Sequence, residues 1–365
     1  MAHATLELRK YVIPEIIIGT DARLLIGRYV AHFNARKPML VADQNLQQFA
    51  WFKSIKSAIL SEAQELIIFD GHSPNPKDFE VMMGANLFIS EKCDLLIAVG
   101  GGSSIDCAKG ISIVASNGGN ILDYEGVDRV KMPGPPLICI PTTAGSSADV
   151  SQFAIIADYS SKSKKAIISK KVVPDLALID PVPLMTMDPY LTACTGMDAL
   201  THAIEAYVST ANSALTDVHA LEAISLLADN LVAAIQPDAS IDIRFQLMLG
   251  SLQAGLAFSN ASLGGVHALA HSLGGLLNLS HGECNSILLE HLIKLNYDSV
   301  PERYNKIAAL MGIESSVLDN PEVRQALAAA IANLRKKLNI PDTVHINDVD
   351  DHTIISLVEN ALSDP

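Results

Sequence analysis

Five residues in the second half of the chain have the types and spacing of a metal centre. Asp198 and His202 stand four apart in TGMDALTHAIEAYVS, a helical pattern, so they share one face. His267 and His271 repeat that spacing in GGVHALAHSLGG, and His281 follows after a loop in HGEC. One carboxylate and imidazoles from several helices form a donor set for a divalent cation. A lone His-x-x-x-His is weak evidence, because paired helical histidines more often cap, face solvent or hydrogen-bond in a core. Two such pairs, with a further histidine close by in small apolar sequence, point to metal. The available chemistry is Lewis-acid stabilisation of an alkoxide, with hydride leaving its carbon for a nearby acceptor. A proton must also be relayed, and four ligands among five candidates leave one group for that task.

The hydride acceptor has a candidate seat in the first half. LLIAVGGGSSIDCAKGISIV reads as a strand, a glycine turn and a helix. Gly100, Gly101 and Gly102 let the backbone approach a phosphate. Ser103 and Ser104 offer a hydroxyl and an N-cap, and the helix start adds unpaired N–H groups. The run is not Gly-x-Gly-x-x-Gly, and a plain tight turn competes as the explanation of the glycines alone. A second turn, PTTAGSSADVS, supplies Thr142, Thr143, Ser146 and Ser147 after another strand. Two such turns at strand ends suit one nucleotide crossing a sheet edge. Asp43 closes an earlier strand. A carboxylate there accepts from ribose hydroxyls and repels a 2′-phosphate, which favours NAD over NADP. Taken alone, it reads as an ordinary turn or N-cap aspartate.

The elements that must hold these groups are legible as two textures. RKPMLVAD, QELIIFDG, CDLLIAVGGG, PLICIPTT and DLALIDP are short buried strands, with helical patterns such as DFEVMMGANLFISEK between them. Strand–helix alternation predicts a parallel sheet with helices on both faces. From about Pro189 the pattern is helical, as in TDVHALEAISLLADNLVAAI, with no convincing strand. The boundary falls near 184–189, giving an α/β nucleotide-binding domain over 1–186 and an all-helical metal-binding domain over 187–365. The alternating LELRKYVIPEIIIG predicts a hairpin or an edge strand, and an edge suits a homodimer.

Composition narrows the partners. The chain has 365 residues, 49% hydrophobic and 18% charged, with a net charge of −14. Such an acidic chain is a poor candidate for nucleic acid or an anionic membrane, while a small ligand remains open. No run of about 18 apolar residues reads as a membrane span. The five cysteines, Cys93, Cys107, Cys139, Cys194 and Cys284, are odd in number and scattered. A disulfide framework is not expected, and a reduced cytoplasmic setting fits best.

The stretches GGGSSIDCAKG, PTTAGSS, IDP, TGMDALTHAIEAYVS, GGVHALAHSLGG and HGECNSILLEH, in this order over nearly the whole chain, resemble the iron-containing (group III) alcohol dehydrogenases. The resemblance implies a Rossmann-like parallel-sheet domain and an all-helical domain in a dehydroquinate synthase-like fold, with the site between them. It implies that Asp198, His202, His267 and His281 bind the metal and that His271 relays the proton. It places Asp43, Gly101, Gly102, Ser103, Thr142, Thr143, Ser146 and Lys164 at NAD, with Asn75 a weaker match, and Phe258 in the substrate pocket. The metal it favours is Fe(II). Three imidazoles and a carboxylate suit zinc as well.

The expected function is hydride transfer between an alcohol or aldehyde and NAD. Two alternatives are a non-redox lyase on the same scaffold and an NAD- and metal-binding regulatory protein of low activity. Three departures from the family bear on these. Ser146–Ser147–Ala148–Asp149 stands where the family commonly reads Thr-Gly-Ser-Glu. Pro183 replaces a usual leucine. The sequence stops at ENALSDP, where relatives usually continue, and this predicts a less complete pocket or C-terminal packing.

Overall fold

The computed structural model describes residues 10–277, 279–314, 319–343 and 350–363. Among the described residues, nine strands occupy the first half. They are β1 (Glu15–Ile18), β2 (Pro38–Ala42), β3 (Ile67–Phe69), β4 (Leu95–Gly100), β5 (Gly126–Val127), β6 (Leu137–Pro141), β7 (Phe153–Asp158), β8 (Ser163–Ile168) and β9 (Leu176–Ile179). Four helices run among them: α1 (Ile26–His32), α2 (Ala50–Leu60), α3 (Asp78–Ser90) and α4 (Gly102–Asn117).

Six strands form one parallel sheet in the order β1-β9-β6-β4-β2-β3. The five strands expected from apolar runs are β2, β3, β4, β6 and β9. Residues in β2, β4, β6 and β9 are almost wholly buried, as a sheet covered on both faces requires. Alternate residues feed two layers. Met39, Val41, Leu96 and Ala98 join α3 and α4 on one face, while Leu40, Ala42, Leu95, Ile97 and Val99 join α1 and α2 on the other. The chain reverses its direction across the sheet between β2 and β4, so the carboxyl ends of those strands flank the crevice where such sheets take ligands.

A second sheet, β5-β8-β7, was not legible as strands in the sequence. In its β7–β8 hairpin, β7 alternates half-buried with buried positions, while β8 is half-buried at four of its six and carries Lys164. The alternating N-terminal stretch provides β1, which among the described residues is an edge strand paired with β9 alone. Its first residues, 6–9, lie outside the described residues.

No strand follows β9 among the described residues. The helices there are α5 (Pro189–Val208), α6 (Ala214–Ala234), α7 (Ile241–Ala261), α8 (Gly265–Leu277), α9 (His281–Asn296), α10 (Pro301–Leu310), α11 (Asn320–Lys337) and α12 (Asp351–Leu362). Asp188 starts α5 by accepting from Tyr190 and Leu191 N–H, with Pro189 at the first helical position. Helix α5 is buried along most of its length and packs on α6, α7 and α9 around one apolar core. Among the described residues no helix is long and apolar enough to cross a membrane.

Two of the departures noted in the sequence are absorbed locally. Ser147 takes the left-handed φ of 48° at the family's glycine position, and its hydroxyl donates to the Ser251 carbonyl at 2.7 Å. Pro183 sits at the start of a short 3-10 helix, Val182–Thr186, where its missing N–H costs nothing. Asp180 ends β9 fully buried. Its carboxylate takes Arg23 Nη1 at 2.7 Å and the Val182 N–H at 2.9 Å, and so fixes the chain where it leaves the sheet.

Candidate active site

A cavity of about 330 Å³ lies between the carboxyl ends of the strands and the helices α5, α7, α8 and α9. On the sheet side it is lined by Asn75, Gly101, Gly102, Ser103, Thr143, Ser146 and Lys164. The turn after β4 is shaped by missing side chains. A Cβ on Gly102 would lie 2.9 Å from Ser146, and one on Gly101 would lie 3.2 Å from Thr143. Helix α4 begins here with no side chain capping its first N–H groups. Those donors and the bare glycine backbone form a cradle that fits a pyrophosphate. Asn75, with φ 57°, gives its N–H to Ser103 Oγ at 3.3 Å and ties the loop before α3 to this turn.

Two expected cofactor residues do not line the cavity. Thr142 is buried, and its N–H bonds the Gly100 carbonyl, which locks the two turns together. Asp43 is half-buried at the end of β2 and accepts from the Asn45 N–H at 2.8 Å, so in the structure it serves as an N-cap. Its position still borders the reversal point between β2 and β4.

On the helical side the cavity is lined by Asp198, His202, Phe258, His267, His271 and His281. Helix α5 carries Asp198 and His202 one turn apart, α8 carries His267 and His271, and α9 opens with His281. Asp198 Oδ1 lies 3.6 Å from His267 Nε2 and 3.6 Å from His281 Nε2. These three atoms fall within 4.8 Å of one another, as the donors around one ion must. His202 stands at the margin of this group, its Nε2 3.9 Å from Asp198 Oδ1. Its ring stacks between His267, at 4.4 Å, and Phe258, at 4.3 Å. His271 stays outside the three-atom group, with its ring 5.1 Å from that of His281 and 6.0 Å from that of His267.

The electrostatics fit a cation. Burial would raise the Asp198 carboxyl, yet the imidazoles of His202, His281 and His267 hold it well below the usual carboxylate range. Burial lowers His202 to about 4 and pushes His281 well below its ordinary value, so both are neutral ligand-ready rings. Burial would lower His267 too, but Asp198 and Glu205 raise it to about 9, so a proton occupies that ring until a metal competes for it. A carboxylate with several imidazoles suits Fe(II) or Zn(II), and the donors present therefore fit the group.

Several residues at the site went unread in the sequence. Glu205 on α5 accepts from His267 Nδ1 at 2.6 Å and from the N–H groups of Val266 and Gly264 at 2.7 and 3.1 Å. It thereby starts α8 and keeps the His267 proton on Nδ1, with Nε2 facing the cluster. The available signal was its helical spacing, seven residues past Asp198 on the same face. Asn285 lies one turn past His281 on α9. Asp106, Ser151, Phe153 and Ile155 line the sheet side of the cavity.

The model of the iron-containing alcohol dehydrogenases matches residues 14–181, and that of the C-terminal part of the Fe-containing alcohol dehydrogenase family matches 192–365. The 1,3-propanediol dehydrogenase of Klebsiella pneumoniae is 37% identical over 97% of this chain and 92% of that protein. The NAD-dependent methanol dehydrogenase of Bacillus methanolicus is 35% identical over 97% of this chain and 93% of that protein. A crystal structure of a 1,3-propanediol oxidoreductase superposes with a TM-score of 0.93 at 36% identity, covering 98% of this chain and 94% of that one.

Proposed function

The chain belongs to the iron-containing alcohol dehydrogenase family, and from that premise we propose how its residues divide the work of an NAD-dependent, metal-dependent alcohol dehydrogenase or aldehyde reductase. Asp198, His202, His267 and His281 hold the metal. Gly101, Gly102 and Ser103 take the pyrophosphate, with Thr142, Thr143 and Ser146 closing over the cofactor. Lys164 and Asn75 reach it from the flanks, and Asp43 reads its ribose. When bound, the metal supplies Lewis-acid activation of the substrate oxygen and the nicotinamide carries hydride.

The chain's own groups do the rest. Phe258, stacked on His202, forms an apolar wall that orients a small substrate carbon skeleton and excludes water. His271 lines the same cavity without joining the three-atom group, and it relays the hydroxyl proton. The observation that carries this reading is that one cavity is lined by both the uncapped glycine turn and the acid–imidazole cluster.

We assign the cofactor domain to 1–186 and the metal domain to 187–365, with the cleft between them. Relatives that act on 1,3-propanediol and methanol support a short alcohol or diol as substrate. The exposed edge of β1 supports a homodimer, and five free, buried cysteines support a cytoplasmic setting. The test is to load the protein with Fe(II), supply NADH and screen short aldehydes. Oxidation of NADH with at least one of them is expected. None, together with no NAD reduction by the matching alcohols, overturns the reading. Net NADH accumulation with an alcohol also separates it from a lyase that returns its cofactor each turnover.

A further inference from the structure

Asn285 is fully buried on α9 and lies behind the acid–imidazole cluster, outside the lining of the cleft. Its Nδ2 stands 2.6 Å from Asp198 Oδ1, 3.1 Å from His267 Nε2 and 3.2 Å from His281 Nε2. Its own Oδ1 is buried with no partner among the described residues. The orientation of this amide follows from its neighbours. An ionised carboxylate only accepts, so the 2.6 Å contact with Asp198 Oδ1 requires the amide nitrogen of Asn285 on that side. Turning the amide over would set two carbonyl-type oxygens 2.6 Å apart in a dry site. Leucine would fill a similar volume without leaving a carbonyl unpaired. A buried amide with one end unpaired is therefore explained by what its other end does.

We propose that Asn285 is a positioning residue of the metal centre: its N–H holds the Asp198 carboxylate and closes the side of the cluster that faces away from the cleft, so that a divalent cation is taken up from the cleft side by a carboxylate already aimed. The proposal rests on the reading of this cluster as a metal centre. It makes Asn285 the counterpart for Asp198 of what Glu205 is for His267. One supporting residue fixes a carboxylate and the other fixes a tautomer.

The test uses the full chain, stripped with a chelator and titrated with Co(II), whose visible absorption reports ligand number and geometry. Asn285→Leu keeps the volume and removes the donor. Asn285→Ala leaves room for a water to replace it. Asn285→Leu is expected to bind Co(II) about 10–100-fold more weakly than the unsubstituted protein, with an altered visible spectrum. Asn285→Ala should fall between the two. Melting temperature of the metal-free protein and calorimetric affinity for NAD should stay close to those of the unsubstituted chain. Co(II) affinity within twofold and an unchanged spectrum in Asn285→Leu overturn the proposal. If that variant does not fold, the same result in Asn285→Ala overturns it. If the unsubstituted chain binds no Co(II) that His267→Ala abolishes, the metal reading itself fails and this proposal falls with it. Loss confined to the Asn285 variants supports it.

Discussion

The two sides of the cleft use different parts of the chain. After β4 the surface is backbone: Gly101 and Gly102, an uncapped helix start and hydroxyls at 3 Å range. Across the cleft it is side chains held by side chains, with Asp198, His267 and His281 braced by Glu205 and Asn285. The cofactor side fails when atoms are added to it, and the metal side fails when atoms are removed. This follows from the ligands. A pyrophosphate is held by a ring of N–H groups that any residue supplies, provided nothing fills the space. An ion needs particular donor atoms at fixed distances.

The largest effect should come from the metal side. His267→Ala removes a proposed ligand and the partner of Glu205 together. It should strip the metal and lower kcat/KM by at least about 10³-fold, the scale of several kcal/mol of lost Lewis-acid stabilisation. His271→Ala should keep the metal and lower kcat by about 10²–10⁴-fold, the range of a missing proton relay. Metal content measured beside steady-state rates decides between them. Equal metal loss in both variants would erase the distinction between ligand and relay.

On the cofactor side, Gly102→Val puts a branched side chain where even a Cβ lies 2.9 Å from Ser146. Losing one charge-assisted contact to phosphate, at about 1.5–3 kcal/mol, weakens NAD roughly 10–100-fold. Metal content should not change. Calorimetry with NAD and metal analysis on the same preparation test this, and loss of metal in Gly102→Val would show that the two sides are not separable. A smaller effect is expected from Asp43→Ala. It removes the carboxylate proposed to face the ribose, whose charge would repel a 2′-phosphate, and so should narrow the preference for NAD over NADP by about tenfold, the worth of a little over 1 kcal/mol. An unchanged ratio of kcat/KM for the two cofactors would leave Asp43 as the N-cap seen at Asn45 and nothing more.

What the sequence revealed follows the same division. Glycines before a helix and histidines at helical spacing are local signals, so the turn at 101–103 and the five candidate donors could be read without a fold. The five strands of the main sheet were equally plain, because a sheet buried on both faces needs unbroken apolar runs. The β7–β8 hairpin escaped, since more than half of its positions are half-buried and its turn, residues 159–162, is mostly polar. Glu205 and Asn285 escaped for a different reason. Each is an ordinary polar residue of an amphipathic helix until α8 and α9 bring His267 and Asp198 against it. Supporting residues are defined by a meeting of elements distant in sequence; spacing within α5 puts Glu205 on the face of Asp198 but does not say which histidine it meets.

Asp106 tests the division most finely, because it sets a carboxyl beside the backbone cradle on the cofactor side. It lies one turn into α4 and lines the cavity, near the fully buried Lys109. The Lys109 ammonium gives its hydrogens to the Ser151 and Phe153 carbonyls at 2.8 and 2.6 Å. Burial raises the Asp106 carboxyl to about 7, against the opposing pull of Lys109, the Ile155 N–H and Lys164. The folded chain then binds this proton more tightly than the unfolded chain, whose carboxyl titrates near 3.9. Below about pH 4 both states are protonated and Asp106 costs nothing. Between about 4 and 7 unfolding releases the proton, so stability falls as pH rises, and above about 7 the loss is complete. Asp106→Asn lacks this loss. Its melting temperature should match the unsubstituted protein near pH 4–5 and exceed it near pH 8 by a few degrees, for about 1–2 kcal/mol after discounting the partial exposure of the group. A difference that does not grow with pH would mean that Lys109 and Lys164 keep Asp106 ionised throughout. The cofactor side would then contain a charge-paired framework of its own, and removing atoms from it would be as damaging as adding them.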